Sequence, residues 1–358
     1  MCRVSSVAQG NRLNREGISE VDTHDLLEDV LAIPEHLRDA LWKVESANLK
    51  PWDSPGGLVV AGMGGSAIGG ALARAALGDT ASRPILSARA YGVPAWTTPD
   101  TTVLCASYSG DTEETLAAYE AAGALGARRV VVTTGGRLAK QAREDGVPVI
   151  PVAGGLQPRA AVAYMFVACL EVAALCGAGP RMNSAIDIAA EHLENCVIEW
   201  GPDAPTDSRA KELAMGLHGT IPIMAGAGIT EPIAYRWKTQ INENAKLPAF
   251  SHELPELDHN EICGWDGAAS LGKFSAVFLE DADQHPRVRE RFELTERLIA
   301  EDAHATFRVT TVGRSPVERV LSLVLLGDLV SLYLAVLRGV DPTPVDILVK
   351  LKQALAER

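Results

Sequence analysis

One local pattern recurs in the first half of the chain: a short aliphatic run, then a turn rich in glycine or serine, then a helix. Aliphatic runs that can be buried on both faces, connected by helices, are typical of parallel sheets. The pattern therefore predicts an α/β fold built on a doubly wound parallel sheet. The runs and their turns are Leu58–Ala61 before Gly62–Gly70, Thr102–Ser107 before Tyr108–Thr112, and Val130–Thr134 before Gly135 and Gly136.

The second half of the chain repeats this opening. Ile221–Ala225 is an apolar run that precedes the loop Gly226–Pro232, and LVVAGMGG in the first half corresponds to IPIMAGAG in the second. The second copy has no loop as rich in serine and threonine as Ser107–Thr112. The similarity predicts a weak internal repeat of two subdomains, each a doubly wound parallel sheet in an αβα sandwich.

The length of 358 residues suits two domains of roughly 150 residues each. Residues 1 to about 20 show no hydrophobic pattern and predict a loose arm. Gly201–Pro205 combines glycine and proline, which favours a linker end there. The expected parts are an N-terminal arm with helices (residues 1–48), a first domain (49–180), a helical linker (181–205) and a second domain with a C-terminal helix (206–358).

Charge and cysteine usage restrict the partners of the chain. The net charge of −13 argues against a nucleic-acid partner, because binding to nucleic acid depends on Lys and Arg that neutralise phosphates. A small anion stays possible, since helix starts attract anions. The six cysteines form no CxxC pair, which indicates reduced core residues of a cytoplasmic protein. Without a signal-peptide pattern or an uncharged apolar run of about 18 residues, no membrane association is expected.

Two turns at the ends of neighbouring predicted strands carry donors for an anion. The glycine turn places the amides of Gly64 and Gly65 and the hydroxyl of Ser66 at a helix start. The next turn adds more hydroxyl groups than a helix cap requires. Together the turns predict a cradle for a monophosphate without a metal ion. The hydroxyl groups of the second turn belong to Ser107, Ser109 and Thr112.

Two other interpretations of these turns are open. The glycine turn also fits the G-x-G-x-x-A pattern of dinucleotide sites through Gly62, Gly64 and Ala67. Such a site needs an acidic residue after the next strand, where this chain has Arg89. A plain turn without a ligand is the other alternative. Asp111 would repel a phosphate, unless it points outward as an acidic residue in the first turn of a helix.

The stretch Arg236–Glu261 has the composition of a site that moves protons. Glu243 lies among apolar and amide residues, and such a partly buried carboxylate can act as a general base. His259 could supply the acid for a second proton, whereas His252 is interpreted as an ordinary surface residue. Outside this stretch, Arg159 opens an apolar helix, where it is either a surface residue or part of the site.

Six sequence blocks together resemble the bifunctional phosphoglucose/phosphomannose isomerases, which consist of two sugar-isomerase (SIS) domains. The resemblance extends in order from about residue 55 to the C-terminus. The NENAK and LPEL-HNE blocks are specific to that family, whereas SYSG alone indicates only a SIS domain. The blocks are GMGGSAIGG, SYSGDTEETL, GLQPRAA, RWKTQINENAK, LPELDHNEICGW and DPTPVDILVKLK.

The resemblance implies a role for each candidate residue. The phosphate would be held by Ser66, Ser107, Ser109 and Thr112, Glu243 would carry the proton between C1 and C2, and Arg159 would stabilise the enediolate. His259, reaching in from a partner subunit, would help to open the sugar ring together with Lys350 or Lys352. Thr343 would lie near C2. The chain departs from the family pattern at Asp111 and Asp258, where asparagine is usual.

The expected function is metal-independent aldose–ketose isomerisation of glucose 6-phosphate and/or mannose 6-phosphate with fructose 6-phosphate through a cis-enediol(ate). No cofactor and no metal site are expected, and a homodimer with shared active sites is the expected assembly. Because of Asp111 and Asp258, the alternative is a SIS module that binds a phosphosugar without converting it. A weaker alternative is an isomerase of an amino-sugar phosphate.

Overall fold

A computed structural model describes residue 10 and residues 12–357. Among the described residues, three helices precede the first sheet and two helices follow it. The N-terminal helices are α1 (Arg15–Ser19), α2 (Leu26–Leu31) and α3 (Ile33–Ser46). The elements of the first sheet are β1 (Leu58–Gly62), α4 (Gly64–Leu77), β2 (Ile85–Ala88), β3 (Thr102–Ala106), α5 (Glu113–Ala124), β4 (Arg128–Thr133), α6 (Gly136–Glu144) and β5 (Val149–Pro151). The two helices after it are α7 (Val162–Leu175) and α8 (Asn183–Trp200).

The second half follows the same alternation, and two short 3-10 helices, Glu256–His259 and Glu261–Gly267, lie between β7 and α11. Its elements are α9 (Arg209–Leu217), β6 (Ile221–Gly226), α10 (Glu231–Asn244), β7 (Phe250–Glu253), α11 (Ala268–Leu271), β8 (Phe274–Glu280), α12 (Pro286–Ile299), β9 (Ala305–Thr310), α13 (Pro316–Arg338) and α14 (Asp346–Ala356).

Both sheets are parallel and have the same strand order. The first is ordered β2-β1-β3-β4-β5 and the second β7-β6-β8-β9. In each sheet the second strand in sequence lies at the edge, beside the first strand, and the later strands follow on the other side of the first. This is the doubly wound order of flavodoxin-like sheets, in which the chain connections reverse their direction across the sheet at the first strand. The predicted fold class of two parallel α/β subdomains is confirmed.

The helix α13 forms the apolar centre of the second half. It has the length and mean hydropathy (2.3) of a membrane-spanning helix, but its whole apolar window is buried inside the fold. Trp237 of α10 packs against it and donates from Nε1 to the carbonyl of Leu323 at 2.8 Å. A Cβ at Gly327 would lie 2.2 Å from that nitrogen, so only glycine permits this approach.

Some sequence expectations fail in the structure. Part of the expected loose arm forms α1, while the rest of the arm up to residue 9, with Cys2, lies outside the described residues. Cys263 is exposed and not part of a core. The strand β7 and the helix α12 were missed, because β7 is a polar edge strand and α12 is interrupted by many charges.

Candidate active site

Two helix N-termini meet where the first sheet reverses its winding. Gly62 at the end of β1 lies beside Ala106 at the end of β3. The helix α4 begins one residue after β1, and α5 begins after the six-residue turn that follows β3. Among the described residues, neither helix has a hydrogen bond from a capping side chain to its first turn. Uncapped amides at a reversal point of a parallel sheet favour an anion.

Ser66 joins the two turns of this predicted phosphate cradle. It is buried in the first turn of α4, and its Oγ accepts a hydrogen bond from the amide of Tyr108 at 3.2 Å. That bond does not use the hydroxyl proton of Ser66, which can still be donated to a ligand.

The turn after β3 is held in shape by its own hydroxyl groups. Ser107 Oγ lies 2.9 Å from Thr112 Oγ1 and accepts from the amide of Gly110 at 3.1 Å. Ser109 is exposed, and its Oγ accepts from the amide of Asp111 at 3.2 Å. Gly110 has a φ of +72°, and a Cβ there would lie 1.9 Å from a carbonyl oxygen of the next turn. The hydroxyl groups of Ser107 and Thr112 are therefore in contact, and Ser109 lies in the same turn with its hydroxyl bound to the amide of Asp111.

Asp111 points away from the cradle. Its Oδ1 accepts hydrogen bonds from the backbone amide and the Nε of Arg137, at 3.1 and 3.2 Å. The carboxylate thus lies at the start of α6, beside a guanidinium group and a helix N-terminus that both favour its negative charge. This contact gives Asp111 a structural role that does not oppose a phosphate.

A loop that carries Arg159 packs directly on the cradle. A Cβ at Gly65 would lie 2.8 Å from the carbonyl oxygen of Pro158 and 3.1 Å from Cα of Arg159. The hydroxyl of Tyr108 donates to the carbonyl of Ala153 at 3.0 Å and accepts from an amide at the other end of the same loop. The position of Arg159 is therefore tied to the anion site.

The Arg159 side chain is buried and reaches the second half of the chain. Its Nε donates to Asn244 Oδ1 at 2.6 Å, and its Nη2 donates to the carbonyls of Pro342 and Thr343 at 2.8 and 3.1 Å. Its Nη1 lies 3.6 Å from Oε2 of Glu243. Burial lowers the pKa of Arg159, but an arginine side chain stays charged in proteins. The site therefore contains a fixed cation beside the predicted base.

Glu243 lies in the last turn of α10, and its side chain is 30% exposed. It faces a cleft of about 570 Å³, whose wall also includes Lys246 and Asp341. Thr343, on the neighbouring loop, has a buried Oγ1 without a hydrogen-bond partner among the described residues. Glu243 is thus partly buried, next to a cation and accessible from solvent, as a general base requires.

A buried ion pair contacts the backbone of Arg159. Arg236 and Asp328 are each 1% exposed and are joined by two hydrogen bonds of 2.6 and 3.1 Å. Gln240 donates to the same carboxylate, and Arg236 donates to the backbone carbonyl of Arg159 at 3.0 Å. The pair connects α10 and α13 to the Arg159 loop.

The corresponding positions of the second sheet contain carboxylates. Glu231 occupies the first turn of α10. Asp281 follows β8, where its Oδ1 accepts from Arg319 Nε at 2.8 Å and from Thr311 Oγ1 at 2.9 Å. An external anion would meet these carboxylates, so the corresponding positions of the second sheet do not favour a phosphate.

Three candidate residues lie apart from this cluster. His259 ends a 3-10 helix and is exposed, and Lys350 and Lys352 are exposed on α14. Within the described part of one chain, no hydrogen bond or ion pair joins them to Glu243. Asp258 binds Arg291 Nη1 at 2.8 Å and a threonine hydroxyl at 2.7 Å, so its charge is already compensated.

Sequence reasoning missed two polar residues of the cleft. Lys246 closes the NENAK block, and its Nζ donates to the carbonyl of Pro342 at 2.9 Å. Asp341 binds Thr23 Oγ1 at 2.6 Å and His24 Nδ1 at 3.1 Å, which connects the N-terminal region to the site. Both residues lie in sequence blocks that carry the family resemblance, and this position was the signal that could have identified them. Among the described residues, no three His, Cys, Asp or Glu side chains form a cluster that could hold a metal ion.

Sequence comparisons with known proteins identify the family of the chain. Residues 206–355 match the family model of the bacterial phospho-glucose isomerase C-terminal SIS domain. The bifunctional phosphoglucose/phosphomannose isomerase of Caldicellulosiruptor bescii is 40% identical over 337 residues, which are 93% of this chain and 99% of the relative. The bifunctional isomerase of Aquifex aeolicus is 33% identical over 88% of this chain and 94% of the relative.

Solved structures show the same fold at low sequence identity. A hypothetical protein from Thermus thermophilus superposes with a TM-score of 0.73 at 17% identity, over 99% of this chain and 94% of that chain. Tagatose-6-phosphate ketose/aldose isomerase from Escherichia coli superposes with a TM-score of 0.64 at 16% identity, over 89% and 95%. From the full-length sequence similarity, this chain belongs to the bifunctional phosphoglucose/phosphomannose isomerase family.

Proposed function

We propose that the chain is an aldose–ketose isomerase that interconverts glucose 6-phosphate and/or mannose 6-phosphate with fructose 6-phosphate. This proposal rests on the contact between Arg159 and Glu243, whose Nη1 and Oε2 atoms are 3.6 Å apart. Arg159 lies on the loop that packs against the proposed phosphate cradle at Gly65. One base and one cation at a fixed position relative to a phosphate site suit proton transfer on a phosphorylated sugar.

The proposed mechanism assigns one role to each group. The cradle binds the phosphate, and this binding energy positions the distant C1 and C2 atoms. Glu243 removes a proton from one of these carbons and returns it to the other, while the hydroxyl proton moves between O2 and O1 of the sugar. Arg159 stabilises the negative charge of the enediolate between the two steps. The three hexose 6-phosphates share one cis-enediol, so the same base can serve all of them if C2 rotates to present either face. The proton transfer itself needs neither a metal ion nor a redox cofactor.

We further propose a homodimer with shared active sites in the cytoplasm. His259 is exposed in one chain, and α14 presents an apolar side to solvent on which Ile347 is 78% and Leu351 57% exposed. A second copy that covers α14 would remove this apolar surface from water. In this assembly His259 of one copy and Lys350 or Lys352 would assist ring opening. Residues 49–180 and 206–358 are the proposed domains.

Incubation with fructose 6-phosphate, with glucose and mannose products resolved separately, tests the isomerase proposal. Conversion to either product supports it, and the product ratio gives the epimer preference. Saturable binding without conversion would instead favour the non-catalytic phosphosugar module. Glucosamine 6-phosphate in a parallel assay tests the amino-sugar alternative.

Mixing two inactive variants tests the shared site. In a mixed dimer of Glu243→Gln and His259→Ala, one active site combines an intact Glu243 with an intact His259 of the other copy. Activity should return on mixing after subunit exchange. No recovery in a verified mixed dimer would place His259 outside the partner's active site.

A further inference from the structure

Lys246 has an unusual backbone conformation at the edge of the cleft. It follows the last turn of α10 with a φ of +53°, in the left-handed region that glycine or asparagine normally occupies. A lysine in this conformation is less stable than glycine would be, because its Cβ is close to the following carbonyl oxygen. Strained residues of this kind cluster at active sites and ligand-binding positions.

Two of the three N–H groups of Lys246 are already used. The Nζ donates to the backbone carbonyls of Glu243 and Pro342. An ammonium group has three donors, so one remains. Since the side chain lines the cleft that Glu243 faces, the third donor is available to a ligand in that cleft.

Charged groups from several elements surround this ammonium group. Burial and, to a smaller extent, nearby Arg159 lower the pKa of Lys246 to about 8, although three carboxylates oppose the decrease. Those carboxylates belong to Asp341, Glu243 and Asp346. Arg338 at the end of α13 donates to the backbone carbonyl of Lys246 and adds a second nearby cation. The ammonium group is thus charged at neutral pH and loses its charge in mildly alkaline solution.

We propose that Lys246 is a second catalytic cation, which donates its remaining N–H to the enediolate oxygen beside Arg159. The inference rests on the proposed isomerase function for the identity of the anion. Arg159 uses Nε and Nη2 on backbone and amide oxygens, so only its Nη1 faces Glu243. A second donor in the wall of the same cleft would share the charge that develops on the substrate.

Two five-carbon ligands separate the effect of the negative charge on the substrate from the other binding contacts. Arabinonate 5-phosphate carries a carboxylate in place of the enediolate, while arabinitol 5-phosphate has an uncharged hydroxymethyl group there. The carboxylate is ionised throughout pH 7 to 9.5, and the phosphate is mostly dianionic at pH 7 and fully so above it. A change in their relative affinity across that range therefore reports a titration on the protein.

The test measures both dissociation constants for the wild type, Lys246→Met and Lys246→Arg. Lys246→Met should bind arabinonate 5-phosphate about tenfold to a hundredfold more weakly and arabinitol 5-phosphate nearly as well as the wild type. In the wild type, preference for arabinonate should decrease as pH rises through about 8. In Lys246→Arg it should stay constant, because arginine keeps its charge.

The control is Lys140→Met, which removes an exposed lysine of α6 and should leave both affinities unchanged. Equal weakening of both ligands by Lys246→Met would overturn the proposal, since it would mean that Lys246 only shapes the cleft. Unchanged arabinonate binding would overturn it as well. Isomerisation of fructose 6-phosphate by the wild type is measured separately. If the wild type is active and Lys246→Met weakens both ligands equally or leaves arabinonate binding unchanged, the proposed function stands and only this inference is removed.

Discussion

The side chain of Arg159 crosses from the first half of the chain to the second, where its Nε donates to Oδ1 of Asn244 at 2.6 Å. Asn244 is the last residue of α10 and the direct neighbour of Glu243. A residue fixed by the phosphate cradle is therefore hydrogen-bonded to the helix that carries the base. In the proposed mechanism, this contact fixes the position of Glu243 relative to the phosphate cradle.

Replacing Glu243 by glutamine should remove turnover and preserve binding. The amide keeps the size of the side chain but cannot accept a proton from carbon, and general base catalysis contributes about a hundredfold to ten-thousandfold. We expect kcat to decrease by that factor, while the Kd of fructose 6-phosphate measured by calorimetry changes little. Glu212→Gln, on the exposed side of α9, is the matched control. Unchanged turnover of Glu243→Gln would refute its role as the base.

Replacing Gly65 by alanine should displace the Arg159 loop. The new Cβ would lie 2.8 Å from the carbonyl oxygen of Pro158, so the loop must shift, and a misplacement of about 1 Å can cost a hundredfold in rate. We expect a lower kcat/KM with a smaller effect on the melting temperature. Gly154→Ala is the control, because nothing lies within 4 Å of a Cβ there. Equal kcat/KM for both variants would show that Gly65 does not position Arg159.

The parts of the fold and site that were predictable depend on residues close in sequence. The strand at Leu58 is buried on both faces, so its aliphatic run was visible without any partner. The hydroxyl groups of Ser107 and Thr112 lie within one turn, and their proximity follows from that turn. Local pattern was sufficient in both cases.

The features that the residue pattern left open, or missed as for Lys246, depend on long-range contacts or on backbone conformation. Arg159 was compatible with an exposed position, and its burial results from carbonyl groups near Pro342 that are distant in sequence. The direction of Asp111 depends on Arg137 at the start of the next helix. Lys246 acquires its position from a positive φ that residue type does not predict for lysine.

Removing one member of the buried pair Arg236–Asp328 should be strongly destabilising. Both side chains are 1% exposed. Within the described residues, Arg236→Met therefore leaves a buried carboxylate with Gln240 as its one remaining hydrogen-bonding side chain. Breaking such a pair typically costs about 3–5 kcal/mol in the free energy of unfolding. Urea unfolding measures this change.

The double variant Arg236→Met with Asp328→Leu is the control for that loss. It removes both charges and should be more stable than the single variant, because no unpaired charge stays buried. A single variant that loses less than about 1 kcal/mol would indicate that the carboxylate is neutral or solvated without Arg236.

Asp341→Asn should reduce stability in a way that depends on pH. Burial opposes ionisation of Asp341, but hydrogen bonds from Thr23, the amide of Thr343 and His24 outweigh it and lower the pKa of the carboxyl group. A carboxylate with a lowered pKa stabilises the fold above its unfolded pKa of about 3.9 and loses this contribution as pH falls through the lower folded value.

The wild type should therefore unfold at a higher temperature than Asp341→Asn at pH 7, and the difference should shrink below about pH 4. Calorimetry between pH 3 and 7 measures it, with Asp79→Asn as the exposed control. A difference that stays constant or grows toward acidic pH would contradict the assignment of this stabilisation to the ionised carboxylate. It would also contradict the stabilising role of the contacts that Thr23 and His24 make with Asp341.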